Sequence, residues 1–338
     1  MEESMVAPPD AATAAVEETA AREDYFTYVE GVGHIPRDIY KHVKSDPTGD
    51  LPRYSPHIVI QHVLVSSTFI VLAATGLSLL FADAFWAPYV TKLFGGADLA
   101  RYIHRVAAAI MIFAAVYHIL TMVAGTIQKV LKKEFDYRRT QIPRLKDLYD
   151  LIHDLKYFLG LEPYRPKMEK FCYKQKLHYL AIIWGTTVLV TAGLALLYPG
   201  AMAKTIPEAI FKISPKAATG GGFPSFLQDL ARLMHADEAV MALVVIALWH
   251  LANVHIVPGR FPFQWTFLTG KITREHQIEE HFLEYIRNLH EIPEEKEYLR
   301  NLLIEKGFEV SKTTDACPPE QSLEQGSTEE LTPDKEEN

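Results

Sequence analysis

Four apolar runs decide what this chain can fold into. They cover about residues 58–82, 102–125, 177–198 and 237–257 of 338. At ~1.5 Å of rise per residue each is long enough, as a helix, to cross ~30 Å of hydrocarbon. Polar residues gather near the ends of the runs, so a mean hydropathy near zero conceals strong segregation. The first run follows a polar, proline-containing lead, and no small-residue cleavage pattern comes after it. It therefore reads as a span and not as a signal peptide. The expected fold is all-α, a four-helix transmembrane bundle with cytoplasmic helical extensions, embedded in a lipid bilayer.

The segments between the runs suggest the rest of the organisation. Residues 1–24 are rich in Ala, Glu and Pro without an apolar period, and residues 308–338 form an acidic tail; both are expected to be disordered. Residues 25–56 read as a cytoplasmic surface segment, and 258–307 as charged cytoplasmic helix. The stretch Gln128 to Lys176 is the most basic, with Lys129, Lys132, Lys133, Arg138 and Arg139 at its start. By the positive-inside rule this puts it and both termini in the cytoplasm, in a multi-pass protein of the inner membrane. The net charge of -8 comes largely from the tails and gives no reason to expect nucleic acid.

The histidines carry the chemistry. His104 and His118 bracket the second run, and His235 and His250 bracket the fourth. Spacings of 14 and 15 residues bring the second imidazole back to within ~40° and ~60° of the first, ~21–22 Å along the helix. The second and fourth spans run in the same direction, so His104 and His235 share one depth and His118 and His250 another. Iron bound by two histidines needs unprotonated nitrogens facing each other from different helices. The pattern thus predicts two stacked b-type haems, with His104, His235, His118 and His250 as metal ligands. His62, at the inner end of the first span, is an alternative to His118 opposite His250. Arg105, beside His104, is a candidate partner for haem propionates, as is Arg101. His178, which opens the third span, reads as an interfacial residue rather than a ligand, and His57 as a surface one.

With only Cys172 and Cys317 there is no Cys-x-x-Cys-His, no iron-sulfur set and no disulfide framework. No hydrolase triad, zinc motif or phosphate-binding glycine loop is present, so the chain reads as an electron-transfer subunit and not as a stand-alone enzyme. Haems in a bilayer need a membrane-soluble donor or acceptor. Gln61, His62, Asn253 and His255, near the inner pair, are the polar groups available for a quinone or menaquinone site. Thr75-Gly76-Leu-Ser-Leu-Leu in the first span is echoed by Thr191-Ala-Gly193-Leu-Ala-Leu-Leu in the third, which hints at two related hairpins.

Across residues 56–290 the chain resembles the membrane cytochrome b subunits of the formate dehydrogenase gamma, nickel-iron hydrogenase and thiosulfate reductase type. The resemblance rests on Gln61-His62 with Thr75-Gly76, on His104-Arg105 to Tyr117-His118, on Tyr179 to Gly193, and on His235 to His250 followed by Asn253, His255 and Phe261-Pro262. It implies that the outer haem is held by His104 and His235 and the inner one by His62 and His250. The related cytochrome b of quinol-oxidising complexes would instead give His118 and His250, so the fourth ligand stays open. A third haem on His62 and His255 is a further alternative. The resemblance also implies a dehydrogenase, reductase or multihaem cytochrome partner and a quinone site by the inner haem. The competing functions are a haem-free membrane anchor or scaffold, and a histidine-relay proton channel or transporter.

Overall fold

A computed structural model describes residues 25–43, 49–200, 223–256 and 261–310. The expectations for both tails, for Cys317 and for most of the loop before the fourth span lie outside these residues. The chain divides into two compact units, Lys44–Glu284 and a second built from Met1–Val43 with Tyr285–Asn338.

The larger unit holds four helices long and apolar enough to cross a membrane. These are α1 (Pro56–Leu80), α3 (Ala97–Leu131), α5 (Tyr173–Leu197), and α6 (Phe223–Val244), which continues as a π-helix over Val245–Ile256. A short α2 (Ala87–Leu93) joins the first two spans, and α4 (Leu145–Phe158) lies between the second and third. After the fourth span come α7 (Thr266–Thr269) and α8 (Arg274–Glu280). The helices reach several residues beyond the apolar runs, because a helix continues through the headgroup layer while hydropathy reports only the hydrocarbon. Bulky residues such as Ile70, Phe113, Leu120 and Trp184 face outward, as expected where lipid is the solvent.

Packing follows two hairpins, α1 with α3 and α5 with α6. In the first, Gln61, Thr68 and Thr75 are buried on α1 at seven-residue intervals, and Ala100, Ala107 and Ala114 are buried on α3 at the same interval. A seven-residue repeat of small and polar residues gives a close, coiled-coil-like seam. Polar contacts mark its antiparallel register: Thr75 meets His104, Thr68 meets Met111, and Gln61 meets His118. At the His62 end, Leu51–Pro52 pairs antiparallel with Lys271–Ile272, tying the lead of α1 to the chain beyond α6. Gly270, at φ 71°, accepts from both the Arg53 and Tyr54 amides; a Cβ there would lie 2.5 Å from the Tyr54 carbonyl oxygen.

In the smaller unit, strands Phe26–Val29 and Gly33–Pro36 form a hairpin. Helices α9 (Phe282–Glu291), of which Tyr285 onward belongs here, and α10 (Pro293–Glu305) complete it. Val32, Ile35, Ile39, Leu289, Leu299 and Leu303 are its buried apolar residues, and the Tyr285 hydroxyl donates to Glu295 at 2.7 Å. Residues 25–43 thus fold with the C-terminal helices, whereas the segment Thr266 to Glu284 belongs with the bundle.

Candidate functional site

His104 on α3 and His235 on α6 face each other with ring centroids 6.3 Å apart and planes at 74°. Each is seated in the same way against the preceding helix of its hairpin. A Cβ on Gly76 would come within 3.1 Å of His104 Cε1, and one on Gly193 within 3.2 Å of His235 Cε1. Glycine lets each ring approach the neighbouring backbone, which gives the repeated Thr-Gly and Ala-Gly positions a physical role. The carbonyl four residues earlier is then within reach: Leu189 O lies 3.1 Å from His235 Nδ1, and the Leu72 backbone contacts His104.

These contacts fix the tautomers. A carbonyl can only accept, so His235 donates from Nδ1–H. Thr75 Oγ1 gives its own proton to the Val71 carbonyl at 2.7 Å, so at 2.9 Å from His104 Nδ1 it acts as acceptor. In both rings the proton sits on Nδ1 and the lone pair on Nε2 is free. A hydrogen bond that fixes the other ring nitrogen is the usual preparation of a metal-binding histidine.

At the opposite end His62 on α1 faces His250 on α6, with centroids 6.4 Å apart and planes at 41°. His118 is placed otherwise. Its Nδ1–H donates to Gln61 Oε1 at 2.8 Å, and its Nε2 lies 3.0 Å from the Tyr179 hydroxyl, so both ring nitrogens are engaged. The α1–α3 seam explains this: His104, Met111 and His118 repeat every seven residues and all face α1. The π-helix acts on the other partner. About 4.4 residues per turn, roughly 82° each, over five steps leaves His250 ~30° from the His235 face, where uninterrupted α-helix would leave ~60°.

His178, expected to be interfacial, stacks on His250 with centroids 4.8 Å apart and planes at 9°. Both its ring nitrogens are buried without a hydrogen-bond partner. Sequence reasoning passed over it because one residue at the start of a span carries no signal of the direction it faces. Glu238, one turn from His235, is also buried; a Cβ on Gly185 would lie 2.6 Å from its Oε1.

The remaining candidates are scattered. Gln61 is buried and fully used, by His118, by His57 Nε2 at 2.9 Å and by Thr121 Oγ1 at 3.2 Å. Asn253 donates to the Trp249 carbonyl of its own helix at 2.7 Å. His255 stacks on Phe263 at 4.1 Å, and its Nδ1 accepts the Gln264 amide at 3.1 Å. Phe267 stands against both His62 and His255, at 5.8 and 5.9 Å. Arg101 pairs with Asp98 at 2.8 Å, while Arg105 is exposed and pairs with no carboxylate among the described residues.

His281, in a polar segment, is buried rather than solvated. It accepts from Arg53 at Nε2, 3.0 Å away, and donates to the Glu169 carbonyl at 2.8 Å. It stands with His276 and Glu280 in a cluster of metal-ligand type. Both ring nitrogens of His281 are engaged in these bonds.

The chain matches no family model, and no curated protein matches it. The geometry itself carries the argument. Two imidazole–metal bonds of ~2.0–2.1 Å, with about 1.1 Å from each nitrogen to its ring centre, put the centroids of two axial histidines ~6.3 Å apart. The pairs at 6.3 and 6.4 Å match that spacing, and all four rings stand on the membrane-length helices.

Proposed function

We propose that the chain is a membrane cytochrome b that carries electrons through two b-type haems, between a quinone pool and a partner dehydrogenase, reductase or multihaem cytochrome. The observation that carries this reading is the pair of histidine couples at bis-imidazole spacing, one near each end of the bundle. Haem, when bound, supplies one-electron transfer.

The protein's own groups hold and orient. Thr75 and the Leu189 carbonyl keep His104 and His235 in the metal-binding tautomer, and the two glycines set their depth. Arg105, without a carboxylate partner among the described residues, is available to a propionate. At the other end, His62 and His250 are the better-supported ligands. His118 would have to give up Gln61 or Tyr179 to bind iron. A third haem on His62 and His255 has little support, since Phe267 contacts both rings. A quinone headgroup belongs at this same end, where Asn253 and His255 lie near the exit of the fourth span. The basic excess between α3 and α5 assigns that end to the cytoplasm of an inner membrane.

The test is the haem count of the purified protein, with the reduced-minus-oxidised spectrum. Two b-type haems per chain are expected, falling to one in His104→Ala, His235→Ala or His62→Ala and unchanged in His118→Ala. Protein that binds no haem in membranes supplied with it would overturn the reading in favour of a scaffold or channel.

A further inference from the structure

Helix α4 is an amphipathic helix turned inside out. Asp147, Asp150 and Asp154 fall within an arc of ~60°, and Leu145, Leu148, Tyr149, Ile152 and Leu155 occupy the opposite arc. Among surface helices of water-soluble proteins the apolar arc faces the core. Here the carboxylates face inward and the apolar arc is exposed, with Leu145 76%, Tyr149 70% and Leu155 57% accessible. All three aspartates are matched. Asp147 holds Lys176 at 2.9 Å; Asp150 holds Lys146 at 2.6 Å; Asp154 takes Arg165 at 2.8 Å, Tyr173 at 2.8 Å and Lys174 at 3.0 Å.

These partners fix where the helix lies. Tyr173, Lys174 and Lys176 form the first turn of α5, a membrane-crossing helix whose exposed apolar belt starts at Leu177. The two lysines thus stand ~2–5 Å before the belt, inside the headgroup layer of about 5–7 Å per side. Asp147 and Asp154 are ~10 Å apart along α4, yet they bind lysines ~3 Å apart along α5. Both ends of the acidic arc are thus tied to the first turn of α5, at headgroup level. The inward side is taken: Lys146 and His153 bond to the carbonyls of Lys167 and Tyr164, and behind that segment Arg53 bonds to the Lys170 carbonyl. The apolar arc is the outer side, exposed as the apolar belt of α5 is.

We propose that α4 is seated in the headgroup–acyl boundary of the bilayer, its apolar arc inserted among lipid chains and its depth locked by the Asp147–Lys176 and Asp154–Lys174 ion pairs. Burial of about 5–10 Å is normal for such a helix. The only charged side chain near the middle of the exposed arc is Lys156, and Lys129, Lys132 and Lys133 are exposed at the adjacent end of α3. Cations at this level favour anionic headgroups. The occupant is thus lipid, and the proposal does not depend on haem.

The experiment places nitroxide labels at Leu148→Cys, Ile152→Cys and Leu155→Cys, with a nitroxide free in the buffer as aqueous reference. It uses the full chain with Cys317→Ser, in nanodiscs of phosphatidylcholine and phosphatidylglycerol; Cys172 is buried and burial raises its thiol pKa, which protects it from labelling. The three helix labels are expected to collide several-fold more with oxygen than with a water-soluble nickel chelate, the reverse of the free nitroxide. Labels as open to the chelate as the reference would overturn the proposal. So would labels shielded from both reagents, which would mean that protein, a partner or a second copy, covers the arc.

Discussion

The two ends of the bundle hold similar histidine couples in different surroundings. At the His104–His235 end each Nδ1 has an oxygen partner and a glycine on the neighbouring helix admits each ring. At the His62–His250 end the rings stand at nearly the same separation, but a third imidazole, His178, lies parallel to one of them with its nitrogens unsatisfied. A fourth, His118, is bound up in hydrogen bonds beside them. One end has its Nδ1 atoms engaged; the other keeps unsatisfied ring nitrogens, which under the proposed function would leave it the polar capacity for a quinone.

The sharpest way to break this comparison is to delete ligands. His62→Ala should remove one haem of two, and His118→Ala none, by haem count and by the low-temperature spectrum. The reverse result would hand the fourth position to His118. Gly76→Val or Gly193→Val comes next. A Cβ already meets the histidine ring at 3.1–3.2 Å, so a branched side chain should expel the ring and empty the His104–His235 site alone.

Thr75→Val keeps the shape and removes the hydroxyl acceptor, leaving the Leu72 backbone contact. It should weaken haem retention at that end about 10–100-fold, and raise the potential of that haem only, as read by redox titration. Tyr179→Phe should cost about 1 kcal/mol of stability through the hydrogen bond to His118, seen in thermal melts, with both haems kept.

The smallest effect concerns pH and should touch only the His62 end. Burial pushes the Asp154 carboxyl up, but its bonds to Arg165, Tyr173 and Lys174 outweigh this and hold it down at about 2. A pKa below the ordinary carboxylate value stabilises the fold above about pH 4 and loses that contribution as pH falls toward 2. Acid should therefore loosen α4 from α5 in that window, measured as rising mobility of a label at Ile152→Cys. Asp154→Asn should be loose already at neutral pH and lose the transition.

Much of this was legible in the residues. The four spans follow from apolar runs, because no other arrangement of so much hydrocarbon is tolerated in water or lipid. The His104–His235 couple follows from matched depths on two helices running the same way. Which ring faces His250 did not, since depth is one-dimensional while facing depends on which neighbour a helix packs against. Both His104 and His118 face α1, and only packing reveals that the seam uses up the second. His178 and the inverted face of α4 escaped for a related reason: a single imidazole and an amphipathic period show that a face exists, not toward what it turns.

Hydropathy and donor type are properties of single residues, so a membrane bundle, its two hairpins in outline and the histidines placed along its spans can be read from the chain alone. Which imidazoles confront each other, which lone pairs stay free and which helix face is left for lipid emerge from packing. Those depend on the rotation of each helix about its axis, and that is set by the small residues, hydrogen bonds and π-turn at contacts between helices.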